Sequence, residues 1–272
     1  MFAVRALTAA VLLAALLAAL LLLAREVFAA LVALIAALGA REWARLLGLT
    51  AGRALGYAFA CALAYVLLAL WLLPQASASP PRLGLWLLAV LFWGVVVPTW
   101  LARGVTQGSR GRLAAAGFMV LVPAALAMAA LASGMLLALL GLVWIADTAA
   151  YLAGRAFGRR KLAPSISPGK TWEGVAGAML ASLAYAIILA AWWPELGRRV
   201  TGVVWLAYLA GAVILCATSI LGDLFESALK RQSGVKDSGS LLPGHGGVLD
   251  RIDSATAVLP VGALFLVCLG VA

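Results

Sequence analysis

The sequence predicts an all-α, polytopic integral membrane protein with about nine transmembrane helices and a site at the cytoplasmic membrane interface. Apolar residues make up 65% of the 272-residue chain, and its mean hydropathy is +1.10. A soluble domain carries roughly 45–50% apolar residues. Runs of about 20 apolar residues, the length that crosses roughly 30 Å of hydrocarbon, recur from one end to the other. The basic residues also fall unevenly between alternate loops, as oriented insertion requires.

The first run, residues 5–24, follows Met1-Phe-Ala-Val-Arg5 and lacks a small-residue cleavage site ahead of a soluble region. It therefore reads as a retained helix rather than a removed signal peptide. Only Arg25 and Glu26 separate it from the second run, 27–47. That run ends on Arg41, Glu42, Trp43 and Arg45, an aromatic among charges that reads as a membrane-surface anchor. Linkers at Pro74 to Arg82 and Arg103 to Arg112 bound the third, fourth and fifth runs, at 54–73, 84–102 and 113–132. The sixth and seventh, 135–154 and 174–193, flank a basic loop, and the eighth and ninth, 200–222 and 254–271, flank a longer polar one. Cys61, Cys216 and Cys268 lie inside apolar runs without metal-type spacing, so buried thiols and no disulfide framework are expected. Residues 1–133 read as an N-terminal scaffold and 134–272 as the catalytic region. No internal repeat supports an inverted-repeat transporter.

If the nine runs alternate across the bilayer, the side holding the N-terminus carries sixteen of the twenty Lys and Arg residues. Arg25, Arg82, Arg198 and Arg199 remain for the other side. The positive-inside rule then places the N-terminus and both charged loops in the cytoplasm and the C-terminus outside, in the cell (inner) membrane. Orientation and anionic lipid head groups account for the net charge of +10 without a nucleic-acid partner.

Three patches carry polar chemistry. In the first, Asp147, Tyr151 and Arg155 fall at i, i+4 and i+8, one helical stripe. A carboxylate in an apolar segment calls for a partner, a cation or a wet cavity. The second runs from Gly158 to Gly174. Its Gly169-Lys170-Thr171 triplet is not the end of a nucleotide-binding P-loop, because Pro164 stands where the earlier glycine belongs and no strand precedes it. What remains is a basic turn before a helix, where N–H groups, the positive helix end and Lys170 favour phosphate. Arg159, Arg160 and Lys161 are equally readable as phosphate contacts or as positive-inside anchors.

The third patch, Asp223 to Asp253, holds five of the ten acidic residues and the single histidine. Asp223, Ser227 and Lys230 share a helix face, with Glu226 beside them, and Asp250 and Asp253 stand at i, i+3 near the ninth run. Asp250 is expected to meet Asp223 across a helix pair, and two hard carboxylates suit Mg²⁺, which takes its other ligands from water and substrate phosphates. The turn Pro243-Gly244-His245-Gly246-Gly247 lets backbone approach a ligand closely. His245 lacks partners for a zinc site and is expected to contact phosphate instead.

The series Ser227, Lys230-Arg231, Lys236-Asp237, Pro243-Gly244-His245-Gly246-Gly247, Asp250-Arg251 and Asp253 resembles the signature of phosphatidate cytidylyltransferases, also called CDP-diacylglycerol synthases. Asp147-Thr-Ala-Ala-Tyr151, Ser167-Pro-Gly-Lys170-Thr-x-Glu173-Gly174 and Leu221-Gly-Asp223 resemble that family in the same order. The resemblance is close in the second half and extends to the first only as apolar helices. It implies CTP plus phosphatidic acid giving CDP-diacylglycerol and pyrophosphate, in a membrane-embedded homodimer. The catalytic residues are then expected to be Asp223, Asp250, Lys230, Ser227 and Asp253. Lys170, Arg231, Lys236, His245, Gly246 and Gly247 are expected to bind substrate phosphate. Asp223 and Asp250 are expected to hold Mg²⁺, with Asp147 a further metal candidate, and the resemblance implies an additional cation. The attacking phosphate oxygen is already ionised near neutral pH, so no general base is assigned. A CTP-dependent polyprenol or dolichol kinase, or an ion or phosphate transporter using Asp147 and Asp223, are the alternative readings.

Overall fold

The computed structural model describes residues 2–104, 110–242 and 246–271. Its helices run in the order α1 (Phe2–Leu22), α2 (Arg25–Leu46), α3 (Ala51–Leu72), α4 (Pro80–Leu91), α5 (Val97–Arg103), α6 (Arg110–Ala130), α7 (Ser133–Phe157), α8 (Trp172–Trp192), α9 (Pro194–Arg199), α10 (Val203–Gln232) and α11 (Leu249–Cys268). A π-helical turn, Phe92–Val96, joins α4 to α5, so that Pro80–Arg103 forms one rod. Pro98, which has no N–H to give, follows the turn. Eight rods among the described residues are long and apolar enough to span a bilayer, and α1 is a further apolar helix. The chain is a polytopic, all-α membrane protein.

Two helices extend beyond their apolar runs, as the helical spacing of the charged residues at those ends requires. α10 continues ten residues past Gly222 to Gln232, and α11 begins at Leu249, so Asp250 and Asp253 lie within its first turns. Acidic side chains are favoured there by the unpaired N–H groups and the positive helix end. One small sheet was not expected: β1 (Lys161–Ala163) pairs antiparallel with β2 (Ser167–Thr171) between α7 and α8.

Small residues and polar aromatics set the helix spacing. A Cβ on Gly174 would lie 2.8 Å from the Ala150 carbonyl oxygen, so α7 and α8 pack backbone to backbone, the close approach typical of membrane helices. α2, α3 and α6 are joined by Trp43 Nε1 donating to Leu113 O at 3.0 Å and Tyr57 Oη donating to Ala114 O at 2.6 Å. A side chain at Gly117 would run into both Trp43 and the Tyr57 hydroxyl. Trp43 is 1% exposed and Glu42 also 1%. They are therefore not the surface anchor expected from their charged surroundings, because the gap at Gly117 admits the indole to the interior.

Phe225 on α10 is ringed by Trp43, Phe92, Trp93 and Trp100, with centroids 6.0–6.1 Å away, which ties α2 and the α4–α5 rod to the segment that carries the signature. One apolar core includes Val32, Trp43 and Leu121 as well as Leu136, Phe225 and Val258, and so draws on both halves of the chain. Cys61 and Cys216 are buried thiols, whereas Cys268, at the end of α11, is exposed.

Candidate active site

Charged side chains from the sequence patches assemble at one end of the bundle, where α7 and α10 end and α8 and α11 begin. Lys170 on β2 and Asp223 on α10 form an ion pair at 2.5 Å. The hairpin is held for this contact from both sides. Arg231 Nε donates to Ile166 O at 3.2 Å, and Thr171 caps α8 by accepting from the Gly174 N–H at 3.1 Å. Glu173 accepts from the Arg159 and Arg160 N–H groups, which fixes the start of the basic loop. Lys170 thus sits on a strand rather than in a phosphate-wrapping loop, in keeping with the failed P-loop pattern.

The second oxygen of Asp223 accepts from Ser227 Oγ at 3.2 Å, one helical turn on. Asp147 from α7 and Asp253 from α11 lie within electrostatic reach of Asp223, and Asp147 also interacts with Lys170. Gly222 makes this approach feasible, since a Cβ there would stand 2.7 Å from Asp253 O. Carboxylates from three helices therefore lie near one another, Asp223 paired with Lys170, and their summed negative charge is of the kind a hard cation would offset. Among the described residues no group of three acidic, histidine or cysteine side chains is arranged so that it could hold a metal ion. The donors by themselves, carboxylate oxygens, are of the kind that suits Mg²⁺, which takes further ligands from phosphates and water.

A second group stands beside the first. Lys230 pairs with Glu226 and with Asp250 Oδ1, the latter at 2.6 Å. Asp250 Oδ2 accepts from Ser238 N–H and Ser238 Oγ at 2.9 Å each and from Gly247 N–H at 2.8 Å. Asp250 is thus occupied by Lys230, Ser238 and Gly247, and the carboxylates acting on Asp223 are Asp147 and Asp253 rather than the expected Asp250. The two aspartates share a face of α11 but stand nearly one turn apart along it, so that Asp250, nearer the helix start, meets Lys230 of α10, Ser238 and Gly247.

Glu42 closes this second group. Its Oε1 accepts from Val248 N–H at 3.0 Å, and its Oε2 from Leu249 N–H at 2.8 Å and Ser238 Oγ at 2.9 Å. A single hydroxyl hydrogen serves both Glu42 and Asp250, so Ser238 is shared between the two carboxylates. Glu42 thereby satisfies the open N–H groups at the start of α11. The glycines of the signature make room for this network. Gly246 has φ +84°, and a Cβ on it would stand 2.7 Å from Asp250 Oδ2. A Cβ on Gly247 would run into Ser238 Oγ and Glu42 Oε2. Their close approach is thus to the protein's own carboxylates. Gly247→Ala is expected to cost about 1–3 kcal/mol through this overpacking, seen as a lower unfolding temperature in detergent together with reduced turnover.

The remaining candidates sit apart. Lys236 is exposed, and Arg231, also exposed, donates to the Ile166 carbonyl. Tyr151 is 62% exposed and accepts from Arg155 Nη1 at 3.1 Å, so these two complete each other rather than Asp147. Pro243, Gly244 and His245 lie outside the described residues. Sequence reasoning missed Glu42 and Ser238 and gave Glu226 no role. Glu42 lies three residues after Gly39, where α2 has space for a neighbour, and that spacing was the one available signal.

A bundle that gathers carboxylates and lysines at one membrane face has the makings of a membrane-embedded enzyme acting on phosphate groups. Comparison with known proteins gives the family: residues 3–269 match the cytidylyltransferase family, and the chain belongs to it. It is 43% identical to a phosphatidate cytidylyltransferase of Pseudomonas aeruginosa, across 96% of each chain. It is 53% identical to the phosphatidate cytidylyltransferase of Haemophilus influenzae over 127 residues, 46% of this chain and 42% of that one. With the Staphylococcus haemolyticus enzyme of the same name the identity is 46% over 125 residues, 46% of each chain. The protein is a nucleotidyltransferase.

Proposed function

We infer that this chain joins CTP to phosphatidic acid, releasing pyrophosphate and forming CDP-diacylglycerol. The observation that carries the reading is the pairing of Lys170 with Asp223 at one end of an apolar helix bundle, with Asp147 and Asp253 within electrostatic reach of Asp223. A lipid phosphate and a soluble triphosphate can meet only at such an end. In the reaction an ionised phosphatidate oxygen forms a bond to the α-phosphorus of CTP, and the bond from that phosphorus to the bridging oxygen of the β-phosphate breaks. The protein's task is positioning and charge stabilisation rather than covalent catalysis.

Asp223, with Asp147 and Asp253 nearby, would hold Mg²⁺ together with substrate phosphates and water. When bound, the ion supplies the positive charge that offsets the crowded phosphates and the leaving pyrophosphate. Lys170 is the cation closest to this point, and Ser227 orients Asp223. Lys230 and Asp250 hold the start of α11 and thereby the position of Asp253. The exposed Lys236 and Arg231 would receive the nucleotide phosphates from solvent. An inner-membrane location with this end in the cytoplasm, a homodimeric assembly and a further cation complete the reading.

The test is product formation by the purified protein in mixed micelles with CTP, phosphatidic acid and Mg²⁺. Pyrophosphate and a lipid-linked CMP are expected in equal amounts, each requiring both substrates. A folded protein that makes neither would rule the reading out.

A further inference from the structure

At the opposite end of the bundle from Asp223 lies a cavity of about 550 Å³ between the α1–α2 corner, α4, the ends of α6 and α11 and the start of α7. That volume falls within the range of small-molecule sites. Its lining includes Arg25 and Arg82 and, among the described residues, no carboxylate. Arg82 is only 7% exposed, and of its five N–H donors one is seen to be used, by Nη1 donating to Gln75 O at 2.9 Å. Arg25 Nη2 donates to Ala130 O at 3.2 Å. Neither arginine belongs to an ion pair among the described residues.

Two guanidinium groups lining one cavity, that of Arg82 buried and no carboxylate among the described lining residues, favour a bound anion. Guanidinium groups match phosphate geometry and are less strongly hydrated than ammonium groups, which suits a site at the membrane boundary. Apart from Ser77 and Ser133 the rest of the wall is apolar, with Leu20, Leu23, Phe28, Trp86 and Val267 among its residues. We propose that this cavity binds an anionic phospholipid of the adjoining leaflet, its phosphate on Arg25 and Arg82 and part of an acyl chain along the apolar wall. The cavity shares no residue with the Asp223 site, so the proposal stands whatever reaction occurs there.

The experiment is native mass spectrometry of the full chain in detergent, titrated separately with phosphatidylglycerol, phosphatidylcholine and inorganic phosphate. The wild type is expected to retain one phosphatidylglycerol in preference to phosphatidylcholine. Arg82→Gln should weaken that retention about tenfold or more, the loss of a charge-assisted contact, while cytidylyl transfer persists. Arg25→Gln should act in the same direction, and because its side chain is exposed it serves where Arg82→Gln does not fold. Asp223→Asn should leave the bound lipid in place. Equal retention by the wild type and both arginine variants would overturn the proposal. Inorganic phosphate displacing the lipid at equal concentration would overturn the lipid assignment, making the cavity a site for the free anion.

Discussion

Replacing Asp223 by Asn is expected to lower turnover at least about 100-fold while the bundle stays folded. The side chain is partly open, at 31% exposure, and joins Lys170 on one oxygen and Ser227 on the other. Asparagine keeps the shape and an acceptor for Ser227. It removes the charge that pairs with Lys170 and that, together with Asp147 and Asp253, would attract a divalent cation. Stability should change little, because losing Asp223 also relieves its repulsion with Asp147 and Asp253. The check is kcat at saturating CTP and phosphatidate beside the unfolding temperature in the same detergent. A decrease of less than about tenfold, some 1.4 kcal/mol, would remove Asp223 from the reacting centre.

Glu42→Ala should act first on stability, costing about 3–5 kcal/mol. The alanine would leave Val248 N–H and Leu249 N–H without their acceptor and Ser238 with one carboxylate in place of two. Unsatisfied buried donors cost about 1–3 kcal/mol each. α11 would start less firmly, and with it Asp250 and Asp253, so activity should fall as well. Glu42→Gln, which retains one acceptor oxygen, should lie between alanine and wild type on both scales. Thermal unfolding in micelles measures this, and an alanine variant within about 0.5 kcal/mol of wild type, the usual range for a neutral surface change, would contradict the assigned role.

The fold was legible in the sequence because its determinants are local. Each apolar run needs only its own length and composition to declare a membrane helix, and each of the nine runs corresponds to a helix or helical rod of the structure. The hairpin at 161–171 was not legible: its strands are three and five residues long and consist of Lys, Ser, Pro, Gly and Thr as much as of strand formers. The shared face of Asp223 and Ser227 followed from helix spacing, whereas the pairing of Lys170 with Asp223 joins two separate motifs and did not. Which aspartate of α11 lies nearer Asp223 did not follow, because it depends on the position of α11 along its own axis. That position is fixed by Gly222 packing on Asp253 and by Glu42 reaching the helix start from α2. The Glu42 contact spans 207 positions of sequence and joins a residue outside every motif to the centre of one. A charge flanked by two arginines gave no sign of burial, since what buries it lies on other helices.

The central claim, that the α-phosphorus of CTP is transferred to a lipid phosphate, is tested most directly by the position of an isotopic label. With CTP labelled at the α-phosphate, the account predicts label in the lipid product and none in pyrophosphate. With label at the γ-phosphate it predicts the reverse. Lipid labelled from the γ-position, with CDP released, would instead identify a CTP-dependent kinase and contradict the account.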